Sequence, residues 1–193
     1  MVQGQTRYSP QLCSLIALRM NPSRLFALLL AVAAFTSASF AQQKVDGTVG
    51  WNYSHSSIGG ASTNVNGWMA KFGYWTTDNL AYVFEADNYY GSYHGSSANR
   101  HDFDFGPQWT FGDSEQTFRP LVYAQAGLAR SSAFGSLDHG INAQVGGGAS
   151  YKLRDRVSLQ LIPLEYNVAR VGGSTLHSYD AKFGVTFTLW GND

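Results

Sequence analysis

The chain has little charge and almost no cysteine. Asp, Glu, Lys and Arg make up only 13% of its 193 residues, whereas about 25% is typical of soluble domains. The 13 basic and 13 acidic residues cancel, so the sequence lacks the positive surface that a nucleic-acid-binding protein needs. The single cysteine, Cys13, excludes an intramolecular disulfide and any metal site built from several cysteines. We therefore expect no nucleic acid, no metal and no cofactor.

The N-terminal region has the pattern of a secretory signal peptide. Arg24 supplies a positive charge, residues 25–35 are apolar, and small residues stand at the −3 and −1 positions before Gln42. An uncleaved membrane anchor is the alternative, although the apolar stretch is short for a helix that spans a bilayer. The predicted organisation is an over-extended N-terminus (1–19), a signal peptide that begins at the true start (20–41) and a mature domain (42–193).

Apolar and polar residues alternate through the mature chain in eight segments. In the second segment, Trp68, Ala70 and Phe72 share one face and Lys71 lies on the other. A period of two predicts β-strands, and about ten residues suffice for a tilted strand to cross a bilayer. The phase of the seventh segment changes near Pro163, where a β-bulge would restore it.

The predicted connections alternate in length along the chain. Three are long and rich in Ser, Gly and Asn, at 55–64, 91–100 and 131–139. Three are short, at 76–79, 112–117 and 154–156, and the last, at 170–176, is intermediate. If both ends of the domain lie on one side, every long loop lies on the other, which is the arrangement of outer-membrane barrels.

Two rows of aromatic residues indicate that the apolar face contacts lipid. Girdles of aromatic residues flank the apolar band of membrane barrels. The row expected at the short turns is Tyr74, Trp75, Tyr82, Trp109, Phe111, Phe118, Tyr151 and Trp190. The row expected at the long loops is Trp51, Tyr53, Tyr89, Tyr90, Phe103, Tyr166 and Tyr179. A soluble lipocalin-like carrier, in which the apolar face would be the interior, is an alternative.

The polar face then forms the interior, and it contains seven acids and four bases. Eight strands leave room for side chains but not for a water channel, so these charges must be paired or hydrogen-bonded. We expect a plugged interior in which carboxylates lie next to each other; a proton or cation path along the acids at 85, 87, 102 and 104 is the alternative. The predicted interior network is Asp46, Lys71, Glu85, Asp87, Asp102, Asp104, Arg119, Lys152, Glu165, Asp180 and Lys182.

Over 42–193 the chain resembles the eight-stranded OmpA/OmpX-like outer-membrane β-barrel domains. The resemblance is strongest in FRPLVYAQAGLAR, INAQVGGGASYKLRDRVSLQLIPLEYNVAR and SYDAKFGVTFTLW. It implies an all-β, eight-stranded antiparallel up-and-down transmembrane barrel in the outer membrane of a diderm (Gram-negative) bacterium, with the long loops outside. It also implies a monomer surrounded by outer-membrane lipid and lipopolysaccharide and inserted by the outer-membrane assembly machinery. One departure is that Leu189, and not the aromatic Trp190, holds the lipid-facing phase in the last strand.

We expect a structural or surface-interaction role without catalysis, with the loops at 91–100 and 131–139 as contact surfaces, because such loops carry function on rigid scaffolds. The alternative is a lipid-A-modifying enzyme, as in some barrels of this size. Its candidate groups are His177 with Ser178 and Asp180, or His101 with Asp102. However, neighbouring residues of a strand point to opposite faces. His55, His94 and His139 are interpreted as solvated loop residues, and the glycines at 146–148 as a site of close packing or curvature in the wall.

Overall fold

The computed structural model describes residues 44–58, 61–93, 96–133 and 136–191. The predicted signal peptide and over-extended N-terminus lie outside the described residues. Each strand is antiparallel to the next, and the last pairs with the first, so the sheet closes into a barrel. The predicted up-and-down topology is confirmed. The strands are β1 Lys44–Ile58, β2 Ala61–Trp75, β3 Leu80–Tyr93, β4 Ser96–Thr110, β5 Phe118–Ala133, β6 Ser136–Arg154, β7 Val157–Val171 and β8 Ser174–Trp190.

The outer surface is apolar and the interior is polar. Phe72, Phe84 and Phe105 are 49%, 47% and 57% exposed, whereas Asp104 and Lys182 are each 1% exposed. An apolar belt of this extent would aggregate in water and belongs in lipid. The predicted polarity is therefore confirmed, and the lipocalin-like alternative is wrong. Over the described ranges, there is no helix with the length and hydropathy needed to cross a membrane.

The three predicted long loops are wrong over most of their length, because the strands continue into them; residues 59–60, 94–95 and 134–135 lie outside the described residues. β1 and β2 stay paired as far as Ile58 and Ala61, and β3 and β4 as far as Tyr93 and Ser96. The strands run to 14–19 residues, beyond the roughly ten that a bilayer requires. Ladder hydrogen bonds satisfy the backbone while Ser, Thr and Asn side chains remain solvated, so a polar composition does not end a strand. We call this end of the barrel the hairpin end, and the end with the connections at 76–79, 111–117 and 155–156 the turn end.

Two aromatic residues assigned to the girdles are instead buried in the barrel. Trp75 is 9% exposed and Tyr89 is 1% exposed. Tyr89 is in phase with the inward Asp87, and Trp75 is in phase with the inward Lys71. The inward direction of both side chains follows from the alternation of side chains along the strand. Their prediction as girdle residues, which used only their position near the strand ends, was wrong.

Register shifts adjust the phase of three strands, and the one in β6 lies between Lys152 and Arg154. β7 shifts between Ile162 and Glu165, which confirms the bulge predicted near Pro163 and turns the Glu165 side chain into the barrel. In β8, Thr188 pairs with Asp46 and Trp190 with Val45, so Leu189 is the extra residue. As a result the terminal aromatic, which the sequence placed out of phase, is 73% exposed.

Candidate functional site

The centre of the barrel is an ion cluster built on one lysine. The Lys182 ammonium, on β8, lies 2.7 Å from Glu85 Oε1, 2.8 Å from Asp87 Oδ2 and 2.9 Å from Glu165 Oε2. All four side chains are completely buried. Because β3 supplies two of the acids and β7 the third, this cluster connects three strands across the lumen.

A second lysine and a tyrosine surround the same cluster. Lys71 Nζ lies 3.1 Å from Glu85 Oε2 and 4.7 Å from the centroid of the Tyr123 ring. The Tyr123 hydroxyl donates a hydrogen bond to Glu165. The ring lies against Gly146, where a Cβ atom would come within 2.5 Å of the phenol. The first glycine of the 146–148 run therefore makes room for this ring.

An arginine forms a second cluster nearer the hairpin end. The Arg100 side chain places Nε 2.9 Å from Asp102 Oδ2 and Nη2 3.7 Å from Asp180 Oδ2, and Nη1 donates a 2.9 Å hydrogen bond to Ser178. Its guanidinium lies 4.2 Å from the centroid of the Tyr89 ring, and the Tyr89 hydroxyl donates to Asp180 at 3.0 Å. All five residues are buried. Arg100 was absent from the predicted network because it fell in a predicted loop, although it is in phase with Asp102.

Acids outnumber bases in the buried network by six to three. The six form three directly opposed cross-strand pairs, an arrangement that is unfavourable unless bases offset it. Asp104 accepts a 2.9 Å hydrogen bond from Asn142 Nδ2 and has no ion pair with any described residue. The opposed pairs are Glu85 with Asp104, Asp87 with Asp102, and Glu165 with Asp180.

The other three residues of the predicted network lie apart from these clusters, at the turn end. Asp46 accepts a 2.7 Å hydrogen bond from the Trp75 indole. Arg119 Nη2 donates to the Asp78 carbonyl at 2.6 Å, and Lys152 Nζ lies 4.0 Å from the exposed Asp155. They line a cavity of about 60 Å³ and are half-buried.

The two ends of the lumen are separated by the ion clusters. The cavity at the hairpin end measures about 290 Å³ and has Tyr89 and Arg100 on its floor. It shares no lining residue with the turn-end cavity. Between them lie the Lys182 cluster and the hydrogen-bonded amides of Gln125, Gln144 and Asn167. The buried charged and amide side chains thus occupy the lumen between these two cavities.

No family model and no curated protein matches the chain. Among solved structures, Neisserial surface protein A matches with a TM-score of 0.68 at 18% identity, over 75% of this chain and 97% of that one. Ail, the attachment invasion locus protein of Yersinia pestis, in complex with the heparin analogue sucrose octasulfate, matches with a TM-score of 0.50 at 12% identity, over 76% of this chain and 99% of that one. The chain has the fold of an eight-stranded outer-membrane β-barrel. The resemblance to OmpA/OmpX-like barrels is confirmed for the fold, and its apolar belt agrees with a location in the outer membrane.

The barrel does not assemble either of the candidate catalytic groups. His177 points outward, where Nδ1 lies 2.7 Å from the Tyr166 hydroxyl, whereas Ser178 points inward to Arg100. His101 likewise points away from the buried Asp102. Alternation along a strand accounts for both separations.

Of the three histidines predicted in loops, the two that the structure describes lie on separate strands, β1 and β6. His55 Nδ1 lies 2.6 Å from Asn64 Oδ1, His139 is exposed, and His94 lies outside the described residues. Within the strands and turns that the structure describes, no group of three or more His, Cys, Asp or Glu side chains is placed to hold a metal ion.

Proposed function

We propose that this outer-membrane barrel is a non-enzymatic surface protein, a monomer whose hairpin end makes contacts outside the cell. The observation that carries the proposal is the buried Lys182 cluster, which fills the lumen between two cavities with no common lining residue. A barrel plugged in this way is not suited to transport. Closure also leaves no free sheet edge for strand-to-strand association, which favours a monomer.

The strand ends support an orientation with the hairpin end outside. The first strand begins at Lys44 and the last ends at Trp190, both at the turn end, and outer-membrane barrels have short turns on the periplasmic side. The hairpin arms, in which 91–93 pair with 96–98 and 131–133 with 136–138, then extend from the outer leaflet as paired strands. Paired arms are stiffer than loops, which lowers the ordering cost of binding a partner. Ail, which has the same fold, is named an attachment invasion locus protein, and a contact role at the hairpin end would be similar.

Single-cysteine labelling tests the orientation, because the predicted mature chain has no cysteine. We expect Ser97→Cys and Leu137→Cys, on the hairpin arms, to react with a membrane-impermeant maleimide on intact cells. Glu115→Cys, in an exposed connection at the turn end, is the matched control and should react only after lysis. The reverse pattern would overturn the orientation.

Two measurements on the purified barrel test the rest of the proposal. In planar bilayers we expect no steady conductance, since the lumen is closed. When the barrel is incubated with lipid A, we expect the lipid mass spectrum to stay unchanged. A reproducible open channel or a new lipid A species that is absent with boiled protein would contradict a non-enzymatic, plugged barrel.

A further inference from the structure

The cavity at the turn end has a positive lining. Four bases and one acid line it, which gives a formal charge of +3, and its other polar groups are hydroxyls and amides. The acid is Asp46, whose carboxylate accepts the hydrogen bond of the Trp75 indole. The buried network at the centre of the barrel has the opposite balance, because acids outnumber bases there. The four bases of the turn-end cavity are Lys44, Arg119, Lys152 and Arg154.

Three strands bring these bases together. Lys44 on β1 and Arg119 on β5 are close to the same indole, since Lys44 Nζ and the Arg119 guanidinium carbon each lie 6.0 Å from the centroid of the Trp75 ring. Lys152 and Arg154 are on β6, which pairs with β5. Three of the four bases are half-buried, and Arg154 is exposed at the end of its strand. Cations that line one concave site add to the same local field, so this mouth of the barrel attracts anions.

The exposed acids that the structure describes at the turn end do not line the cavity. They lie in the connections, at positions 78, 113, 115 and 155. Asp155 is 4.0 Å from Lys152 Nζ, but its side chain is completely exposed, and an ion pair with so exposed a partner is weak. The positive charge is therefore concentrated inside the mouth, and the negative charge lies around it.

The wall of the cavity also contains a buried hydroxyl group. Thr110 is only 3% exposed, and its hydroxyl has no hydrogen-bond partner among the residues that the structure describes. Buried polar groups of this kind are rare, and an oxygen of a bound ligand would satisfy it. The cavity measures about 60 Å³, whereas roughly 10–15 Å³ is enough for one water molecule. It therefore has room for a polar group of a few heavy atoms, such as a phosphate.

We propose that the turn-end cavity binds the phosphate group of a water-soluble ligand. Guanidinium and ammonium groups form charge-assisted hydrogen bonds with phosphate oxygens, and the net positive lining suits a divalent anion. The lining side chains follow the inward phase of their strands, so the site opens to water at the end of the barrel and not to the lipid around the wall. In the orientation proposed above, the ligand comes from the periplasm; the site itself does not depend on that orientation.

The test is an NMR titration of the isotope-labelled barrel in a non-ionic detergent with inorganic phosphate, at constant ionic strength. The indole N–H resonance of Trp75, identified by its loss in Trp75→Phe, reports on the cavity directly. We expect a saturable shift with phosphate and a much smaller response to acetate, which has a single charge. In Lys152→Gln/Arg154→Gln the affinity for phosphate should fall about tenfold or more, because charge-assisted hydrogen bonds are lost.

Two further variants separate the cavity from the general charge of the turn end. Arg156→Gln removes an exposed arginine of the β6–β7 turn that does not line the cavity, so its affinity for phosphate should equal that of the wild type. Asp46→Asn keeps an oxygen that can accept the Trp75 hydrogen bond but removes the negative charge of the lining, so its affinity should rise severalfold. Each variant is first checked for the heat-modifiable gel shift, which shows that the barrel is folded.

A Trp75 resonance that does not saturate with phosphate, or that responds equally to acetate, would overturn the proposal. An equal loss of affinity in Arg156→Gln would overturn it as well, because the effect would then come from a diffuse field. A response to short-chain phosphatidylglycerol without one to inorganic phosphate would assign the cavity to lipid headgroups and reject a soluble ligand. If cysteine labelling places the turn end outside the cell while phosphate still binds, only the periplasmic source of the ligand is overturned.

Discussion

Replacing Lys182 by methionine removes the one cation that three buried carboxylates share. Methionine has a similar length and volume, so the substitution deletes the charge with little change in packing. Glu85, Asp87 and Glu165 then remain in the lumen with their 2.7–2.9 Å partner gone. Lys71 still reaches Glu85 at 3.1 Å, which leaves the other two with no cation close by.

Breaking one fully buried ion pair costs about 3–5 kcal/mol, because the remaining charge stays desolvated without its partner. All four side chains here are completely buried, so solvent screening does not reduce the effect. We therefore expect the free energy of unfolding of Lys182→Met to fall by about 3–5 kcal/mol, which corresponds to roughly a 100- to 5,000-fold change in the unfolding equilibrium.

The measurement is urea unfolding of the barrel in lipid vesicles, followed by tryptophan fluorescence and the heat-modifiable gel shift. Lys152→Met is the matched control: Lys152 is half-buried and has only a 4.0 Å contact to an exposed acid, so we expect less than about 1 kcal/mol. Adding Glu165→Gln to Lys182→Met should cost less than the sum of the single changes, since the two groups are in contact. A loss below about 1 kcal/mol for Lys182→Met would refute the central role of this lysine.

Three further substitutions test separate features of the interior by the same unfolding assay. Asp104→Asn removes a buried carboxylate that has no cation, so stability should change by less than about 1 kcal/mol or increase; a loss above about 2 kcal/mol would show a missed partner. Gly146→Ala forces the Tyr123 ring to move and should cost about 1–3 kcal/mol, whereas at Gly147 the nearest atom is 3.6 Å away and alanine should be tolerated. Trp75→Phe removes a 2.7 Å indole hydrogen bond and should cost about 1–2 kcal/mol; an unfolding free energy within about 0.5 kcal/mol of the wild type would argue against this contact.

The period of two was sufficient to predict the strands and the direction of most side chains. In the closed barrel, one face of every strand contacts lipid and the other faces the polar interior. The direction of each side chain therefore follows from its phase along the strand. Two side-chain directions that were not predicted from phase were wrong. Trp75 and Tyr89 were assigned by their closeness to strand ends, yet both are in phase with inward charged residues.

The strand ends could not be predicted from composition. A Ser- and Asn-rich stretch such as 131–139 reads as a loop, but outside the bilayer the same residues can be solvated on a paired strand. The error had a consequence for the interior, because treating 91–100 as a loop removed Arg100 from the inward face. Extending the phase of Asp102 and Asp104 back by one step would have found it.

Phase also does not specify which inward residues meet, since contact across the lumen depends on register and tilt. The structure resolves the network into levels: two lysines with three acids around Lys182, and one arginine with Asp102 and Asp180 around Arg100. Each level has one more acid than base, and Asp104 adds another. Lys182 is shared by acids of two other strands and Arg100 by Asp102 and Asp180, while the acids are in excess. The loss of either of these bases should therefore destabilise the barrel more than the loss of an acid. This asymmetry is expected of a plug that holds the wall together, whereas a conduction path would require open space between its charged groups.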